Sequence, residues 1–335
     1  MASLRSEVER QDRTDLSVRF LASRGPGSLA LSPFYLLGFL GRMLALRAKG
    51  QLDLIHINLA SNGSTLRKLQ IAALARRIGV PYVLHLHGAD YAEFWIDERP
   101  GLSRRILTMF EGAARIVVLG RVWRDFVAGR APHAADRIVI VPNASARPAL
   151  AHVGGGDKVH ILFLGRLGDR KGVPQLGEAL RRMVGMPHWR ATIAGDGEVE
   201  TARRKAAEYG LADRVDIPGW VDAKRVAELI STADILVLPS FSENLPLSVV
   251  EGMASGLAII ATPVGAVEDI IADGETGLLV QPGDVDGLTE ALTRLVDDPA
   301  LRQRLGTAAL AFHREKLDVE PFAAALHDVW TAATH

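Results

Sequence analysis

The sequence predicts an α/β protein of two doubly wound, Rossmann-like domains, on three observations. The chain has 335 residues, more than one hydrophobic core usually serves. Short β-rich apolar runs alternate with helical patterns along its whole length, as in parallel sheets covered on both faces. Residues 148–157 thin to small residues around Gly154, Gly155 and Gly156, which marks a linker. The expected domains are therefore 1–150 and 157–316, with a final helical stretch, 317–335, packing back on the first.

In the first half the strand-like runs are 17–22, 52–58, 82–86, 115–119 and 138–141, with helical patterns at 65–78 and 105–114. In the second half the strands are expected at 159–164, 191–194, 215–217, 235–238, 257–261 and 277–280. The helices fit 174–184, 199–209, 223–232, 247–255, 266–272 and 285–296. The last helix carries Phe322, Leu326, Val329 and Trp330 at three- and four-residue spacing. No short repeat recurs, which excludes a solenoid. In open sheets of this kind ligands sit beyond the carboxyl ends of the strands. The functional motifs should then fall in the loops that follow strands, around a cleft between the domains.

Basic and acidic residues balance at 39 each, so no global field favours nucleic acid. With no cysteine, disulfides, thiolate catalysis and cysteine-based zinc sites are excluded. The charged opening segment lacks the apolar run of a signal peptide, so a cytoplasmic protein is expected. Residues 34–47 read as an amphipathic helix through Leu36, Leu37, Leu40, Met43 and Leu44. Core packing and peripheral membrane contact both fit it, the latter because Arg42, Arg47 and Lys49 accompany the apolar residues.

The strand 159–164 runs into Gly165-Arg166-Leu-Gly-Asp-Arg-Lys171-Gly172. Here the glycines permit close approach, Arg166 offers a fork of donors and Lys171 a point charge to an anion. The order of a Walker loop is absent. Gly195-Asp196-Gly197 follows the next strand, with Asp196 expected to cap the next helix. Pro218-Gly219-Trp220-Val221 offers exposed backbone to a base. Glu243 and Glu251 stand eight positions apart, the first in a loop and the second in a helix that Pro246 opens and Gly256 closes. Unpaired N–H groups between them make a seat for phosphate. Surface glutamates on a solvated helix remain the plain alternative for that pair taken alone. His85 and His87 share one face of a strand but have no acidic cluster or cysteine beside them, so no metal is expected. Asp284-Val285-Asp286 precedes a helix and reads as its N-cap.

Taken in order, Gly165-Arg166…Lys171-Gly172, Gly195-Asp196-Gly197, Pro218-Gly219, Glu243-x7-Glu251 and Pro282-Gly283-Asp284 resemble the GT-B retaining glycosyltransferases of family 4, the glycosyl transferases group 1. The resemblance covers essentially the whole second half. It implies transfer of a sugar from a UDP- or GDP-type donor to a glycan or polyprenyl-linked acceptor, as in exopolysaccharide synthesis, without metal or cofactor. Arg166 and Lys171 would grip the diphosphate, Glu251 the ribose and Glu243 the transferred sugar. Leu245, Leu247 and Ser248 would offer backbone N–H groups, with Gly165 and Gly195 lining the donor site and Gly219, Trp220 and Val221 near the base.

The first half resembles the family in three strands. Asp53-Leu-Ile-His-Ile-Asn58 matches a D-x-x-H-x-H pattern except at Asn58, and Val83-Leu-His-Leu-His87-Gly88 brings His87 near the reacting sugar. Val141-Pro-Asn143-Ala144 matches I-P-N-G except at Ala144. Ser61, Ser64, Arg67 and Lys68 would face the acceptor, although Ser61 or Ser64 also suits a helix cap. The family usually opens with a strand, a glycine-rich loop and a helix. Only residues 1–16 precede the run 17–22 here, so the first domain is expected to lack that unit. Two other readings stay open: a nucleotide-sugar epimerase and a catalytically impaired nucleotide-binding protein on the same fold.

Overall fold

The computed structural model describes residues 17–25, 31–154 and 156–334. The chain forms two units: the described residues up to Pro142 together with those from Phe322 onward, and Asn143–Pro321. The small-residue stretch 148–157 lies within the second unit.

The first unit holds a four-stranded parallel sheet in the order β1 (Ile55–Leu59), β2 (Tyr82–Leu86), β3 (Arg115–Val118), β4 (Ile138–Ile140). The strands read as apolar runs because both faces are covered. One face carries Val83 and Val117, which pack against Leu326, Val329 and Trp330 of the last helix, Val319–Thr334. That helix shows the spacing the sequence predicted. The run 17–22 is not a strand: it has no regular secondary structure, and Val18 and Phe20 pack on this same core instead. The segment 1–16, on which the missing opening unit was argued, lies outside the described residues.

The second unit holds six parallel strands: β5 (Val159–Leu164), β6 (Trp189–Ala194), β7 (Val215–Gly219), β8 (Ile235–Leu238), β9 (Ala258–Ala261) and β10 (Leu278–Leu279). Their order is β10-β9-β8-β5-β6-β7. The chain winds outward from β5 to β7, then returns to the other side of β5 for β8, β9 and β10. The topological switch point therefore lies between β5 and β8, and the loops beyond their carboxyl ends flank the crevice where such sheets bind ligands.

Three local expectations change. Residues 266–272 form only a short 3-10 turn, Val267–Asp269, in place of a helix. Pro299–Phe312 is an additional helix, capped by Asp298, whose carboxylate accepts from the Leu301 N–H at 2.8 Å. Asp196 caps nothing: the helix Val199–Glu208 starts from Glu198 without a side-chain cap. Asp284 does cap its helix, accepting from the Gly287 N–H at 2.9 Å.

Candidate functional site

Four loops at the carboxyl edge of the second sheet are pressed together at glycines. Gly195 adopts φ +151°, and a Cβ there would lie 1.8 Å from the Gly165 carbonyl oxygen. Gly197, Gly172 and Gly265 are equally tight: a Cβ would come within 2.3 Å of Leu167 O, 2.0 Å of Pro239 O and 2.2 Å of Glu243 O respectively. Only glycine combines positive φ with backbone approach this close. Hydrogen bonds run alongside, from Leu167 N–H to Asp196 O at 2.6 Å, Phe241 N–H to Arg170 O at 2.8 Å and Ala266 N–H to Asn244 O at 2.7 Å. The loop after β5 is thus braced against those after β6 and β8, and the glutamate loop is held from both sides.

This bracing sets the charged groups. Arg166 is 69 % exposed and meets Asp196 only at 3.5 Å. Lys171 is largely buried and ion-paired with Glu243, their side chains 15 % and 8 % exposed. Glu243 was singled out together with Glu251, yet its partner in the folded chain is Lys171. The helix Leu247–Ala254 begins at Pro246 with no side-chain cap, so its first N–H groups point outward unsatisfied by the helix itself. Asn143 supports the approach to that helix, donating from Nδ2 to the Leu245 carbonyl at 2.8 Å. Within the motif at 141–144 it is Asn143, not the substituted Ala144, that makes this contact. Gly256 takes φ +73° just past the helix end, as expected. Glu251 is half-buried, and burial pushes its carboxyl up from the ordinary value. At the end of β7, Gly219 turns at φ +82° and leaves Trp220 74 % exposed, with Val221 following half-buried.

The first unit presents a different arrangement. His56 and Asn58 on β1 lie in register with Val83 and His85 on β2, and His87 follows on the same face. Trp330 donates its indole N–H to His56 Nδ1 at 2.8 Å. Neutral His56 therefore carries its proton on Nε2, which donates to His85 Nδ1 at 3.2 Å. His85 is left with a proton on its buried Nε2, which has no hydrogen-bond partner. His87 Nε2 donates to Asn58 Oδ1 at 3.1 Å, leaving Nδ1 as an acceptor. Burial, with His87's charge a smaller cause, lowers His56 to about 4, and burial lowers His87 to about 4. His85 is pushed well below its usual value, again chiefly by burial. The ladder from Trp330 to His87 is therefore neutral at neutral pH. Among the described residues no group of three metal-ligating side chains converges.

After β1, the helix Gly63–Arg77 opens without a side-chain cap, so neither Ser61 nor Ser64 fills that role. Ser64 Oγ instead accepts from the Ala60 N–H at 3.4 Å. Lys68 donates to Ser23 Oγ, and its ammonium is lowered to about 8 by burial and by neighbouring Arg67. Arg67 Nε is buried without a partner. The helix Ser32–Ala48 is largely apolar, with Arg42 and Arg47 its charged residues, both exposed. Leu36, Phe39, Met43 and Leu46 face inward to varying degrees, while Phe34, Leu37, Gly38, Gly41, Leu44, Ala45 and Ala48 form an exposed, uncharged stripe.

Two family models match the chain: "Glycosyl transferase 4-like domain" over residues 2–144 and "Glycosyl transferases group 1" over 152–312. Alpha-D-kanosaminyltransferase of Streptomyces kanamyceticus is 29 % identical over 70 % of this chain and 66 % of its own length. The lipopolysaccharide core biosynthesis glycosyltransferase LpsE of Rhizobium meliloti is 33 % identical over 60 % of this chain and 50 % of its own. The chain thus spans two thirds or less of these curated relatives. Among solved structures, Anabaena HepE in complex with UDP superposes with a TM-score of 0.75 at 17 % identity, over 91 % of this chain and 84 % of that one. The chain belongs to the group 1 glycosyltransferases, on the GT-B fold.

Proposed function

We propose that the protein transfers a sugar from a nucleoside diphosphate donor, with retention of configuration, to a glycan or polyprenyl-linked acceptor in cell-surface or exopolysaccharide synthesis. The observation that carries this reading is the meeting of a basic loop and an uncapped helix N-terminus at the switch point between β5 and β8. As the bond from sugar to diphosphate breaks, negative charge grows on the leaving oxygens. Arg166, Lys171 and the N–H groups from Leu247 and Ser248 stabilise it. These groups supply the neutralisation directly, so no metal or cofactor is required by the scheme. Glu251 accepts the ribose hydroxyls, Trp220 and Val221 border the base, and Glu243 orients the sugar. His87, neutral with Nδ1 bare, accepts a hydrogen bond from a sugar hydroxyl. Gly165, Gly195 and Gly219 shape the backbone around these groups. The UDP in the HepE complex makes a UDP-type donor the first to try. Nothing observed favours an epimerase.

Arg166→Ala is expected to lower the rate of transfer by roughly a hundredfold, given the usual worth of one leaving-group contact. Transfer measured with UDP- and GDP-sugars checks this, and an unchanged rate in a folded variant refutes the phosphate assignment.

On the acceptor side we assign Ser61, Ser64, Arg67 and Lys68, and peripheral membrane contact through 34–47. The exposed stripe supports the membrane reading. Arg42, Arg47 and Lys49 accompany it, no acidic residue occurs from 31 to 52, and no described helix is long and apolar enough to cross a bilayer. Co-sedimentation with anionic vesicles at low salt is expected and should be lost in Phe34→Glu/Leu37→Glu; no binding by the unaltered chain removes the assignment.

A further inference from the structure

Lys171 and Glu243 stand on the loops that follow β5 and β8, the two strands that border the switch point. Their loops are tied together by backbone contacts. Gly172 lies against the Pro239 carbonyl, Gly265 lies against the carbonyls of Glu243 and Asn244, and Phe241 N–H is bonded to Arg170 O. The ion pair itself is made by side chains alone. Both are largely buried, and each neutralises the other. Arg166 differs: it is mostly exposed, and its carboxylate neighbour is exposed as well.

The proposed function gives Lys171 to the diphosphate and Glu243 to the sugar, and this inference rests on that reading. Before donor arrives, however, each group is engaged by the other. We propose that the Lys171–Glu243 ion pair is an exchange device that couples recognition of the diphosphate to recognition of the transferred sugar. Diphosphate oxygens take over the ammonium, and the released carboxylate accepts hydrogen bonds from sugar hydroxyls. An intact sugar nucleotide satisfies both partners. A nucleoside diphosphate alone satisfies only Lys171 and strands Glu243 as a buried, unpaired carboxylate, which is costly. The device therefore favours donor over spent product. After transfer Glu243 reclaims Lys171 and helps expel the nucleotide.

The competing arrangement is a fixed bridge, in which the three N–H donors of Lys171 serve Glu243 and phosphate together. The two arrangements predict opposite signs. With exchange, Glu243→Gln frees Lys171, and UDP or GDP should bind about tenfold more tightly, as expected when a close charge pair no longer competes. UDP-glucose and GDP-mannose should gain less or lose affinity, so preference for the intact donor falls. With a fixed bridge, nucleotide affinity stays level or weakens.

Calorimetry on the full chain with these four ligands reads the difference, with circular dichroism confirming the fold. Should Glu243→Gln not fold, Glu243→Asp keeps the charge but shortens its reach, and it too should tighten nucleotide binding; no tightening overturns the exchange. If the unaltered chain binds neither nucleotide, the donor reading falls and the exchange with it. If it binds one and the variants do not tighten, only the exchange is lost.

Discussion

The two units build their sites by different means. In the second, the candidate donor-side groups stand on loops locked together by backbone contacts at Gly172, Gly195, Gly197 and Gly265, with charges placed by that frame. In the first, the candidate edge rests on side chains: a hydrogen-bonded ladder from Trp330 through His56 to His85, with Asn58 holding His87 beside it. One frame leaves no room for an added carbon at its glycines. The other is sensitive to the identity of individual side chains. The division suits the proposed tasks, since a diphosphate needs fixed charge whereas a sugar hydroxyl needs one correctly oriented acceptor.

The sharpest way to break this contrast is to add one methyl group to each unit. Gly195→Ala would drive a Cβ to 1.8 Å from Gly165 O at φ +151°, so the loops after β5 and β6 must separate. A loss of about 3 kcal/mol or more in stability is expected, with nucleotide binding lost in whatever remains folded. Gly79 in the first unit has φ +64°, but a Cβ there meets nothing within 4 Å. Gly79→Ala should therefore cost only about 1 kcal/mol, the strain of the left-handed backbone alone. Thermal or denaturant unfolding of both variants checks the ordering. Equal costs would show that the glycine contacts are not what fixes the second site.

The same contrast explains what could be read in the sequence. The loop carrying Arg166 and Lys171 and the pair Glu243 and Glu251 were legible because each motif is local, a strand end followed by a turn and a helix. Their meeting was not, since Lys171 finds Glu243 only through the crossover that sets β8 beside β5. The ladder was harder still. Trp330 and His56 are 274 positions apart, and periodicity showed Trp330 only as an apolar position on the last helix. Asn58 stood out as a departure from a pattern, without the contact to His87 that gives it meaning. The run 17–22 has the composition of a strand, but its apolar side chains are met by the core around the last helix and it joins no sheet. The helix Pro299–Phe312 was marked by Asp298-Pro299, a cap followed by proline in the first turn, rather than by a clean apolar face.

A smaller and more selective effect is expected from the ladder itself. Asn58 Oδ1 accepts from His87 Nε2–H, and burial lowers His87 to about 4, so the unaltered chain keeps this ring neutral throughout the pH range of ordinary assays. The nearby rings of His56 and His85 are likewise neutral there. Asn58→Asp places a carboxylate at the same contact, favours the imidazolium and should raise the His87 value by about one to three units. The sign then follows from the proton count. Below the raised value Nδ1 is protonated and can no longer accept from a sugar hydroxyl; above it Nδ1 is bare and accepts as before. Transfer by the variant should therefore match the unaltered enzyme near pH 8 and fall progressively as the pH drops toward 5, a break the unaltered enzyme lacks. Asn58→Leu removes the acceptor without adding charge, so it should lower the rate by a similar factor at every pH, about tenfold for one lost orienting hydrogen bond. A uniform loss in both variants would make Asn58 a packing residue only. A new acidic break confined to Asn58→Asp would tie the protonation of the rings that residue 58 contacts, His87 and His56, to the rate of transfer.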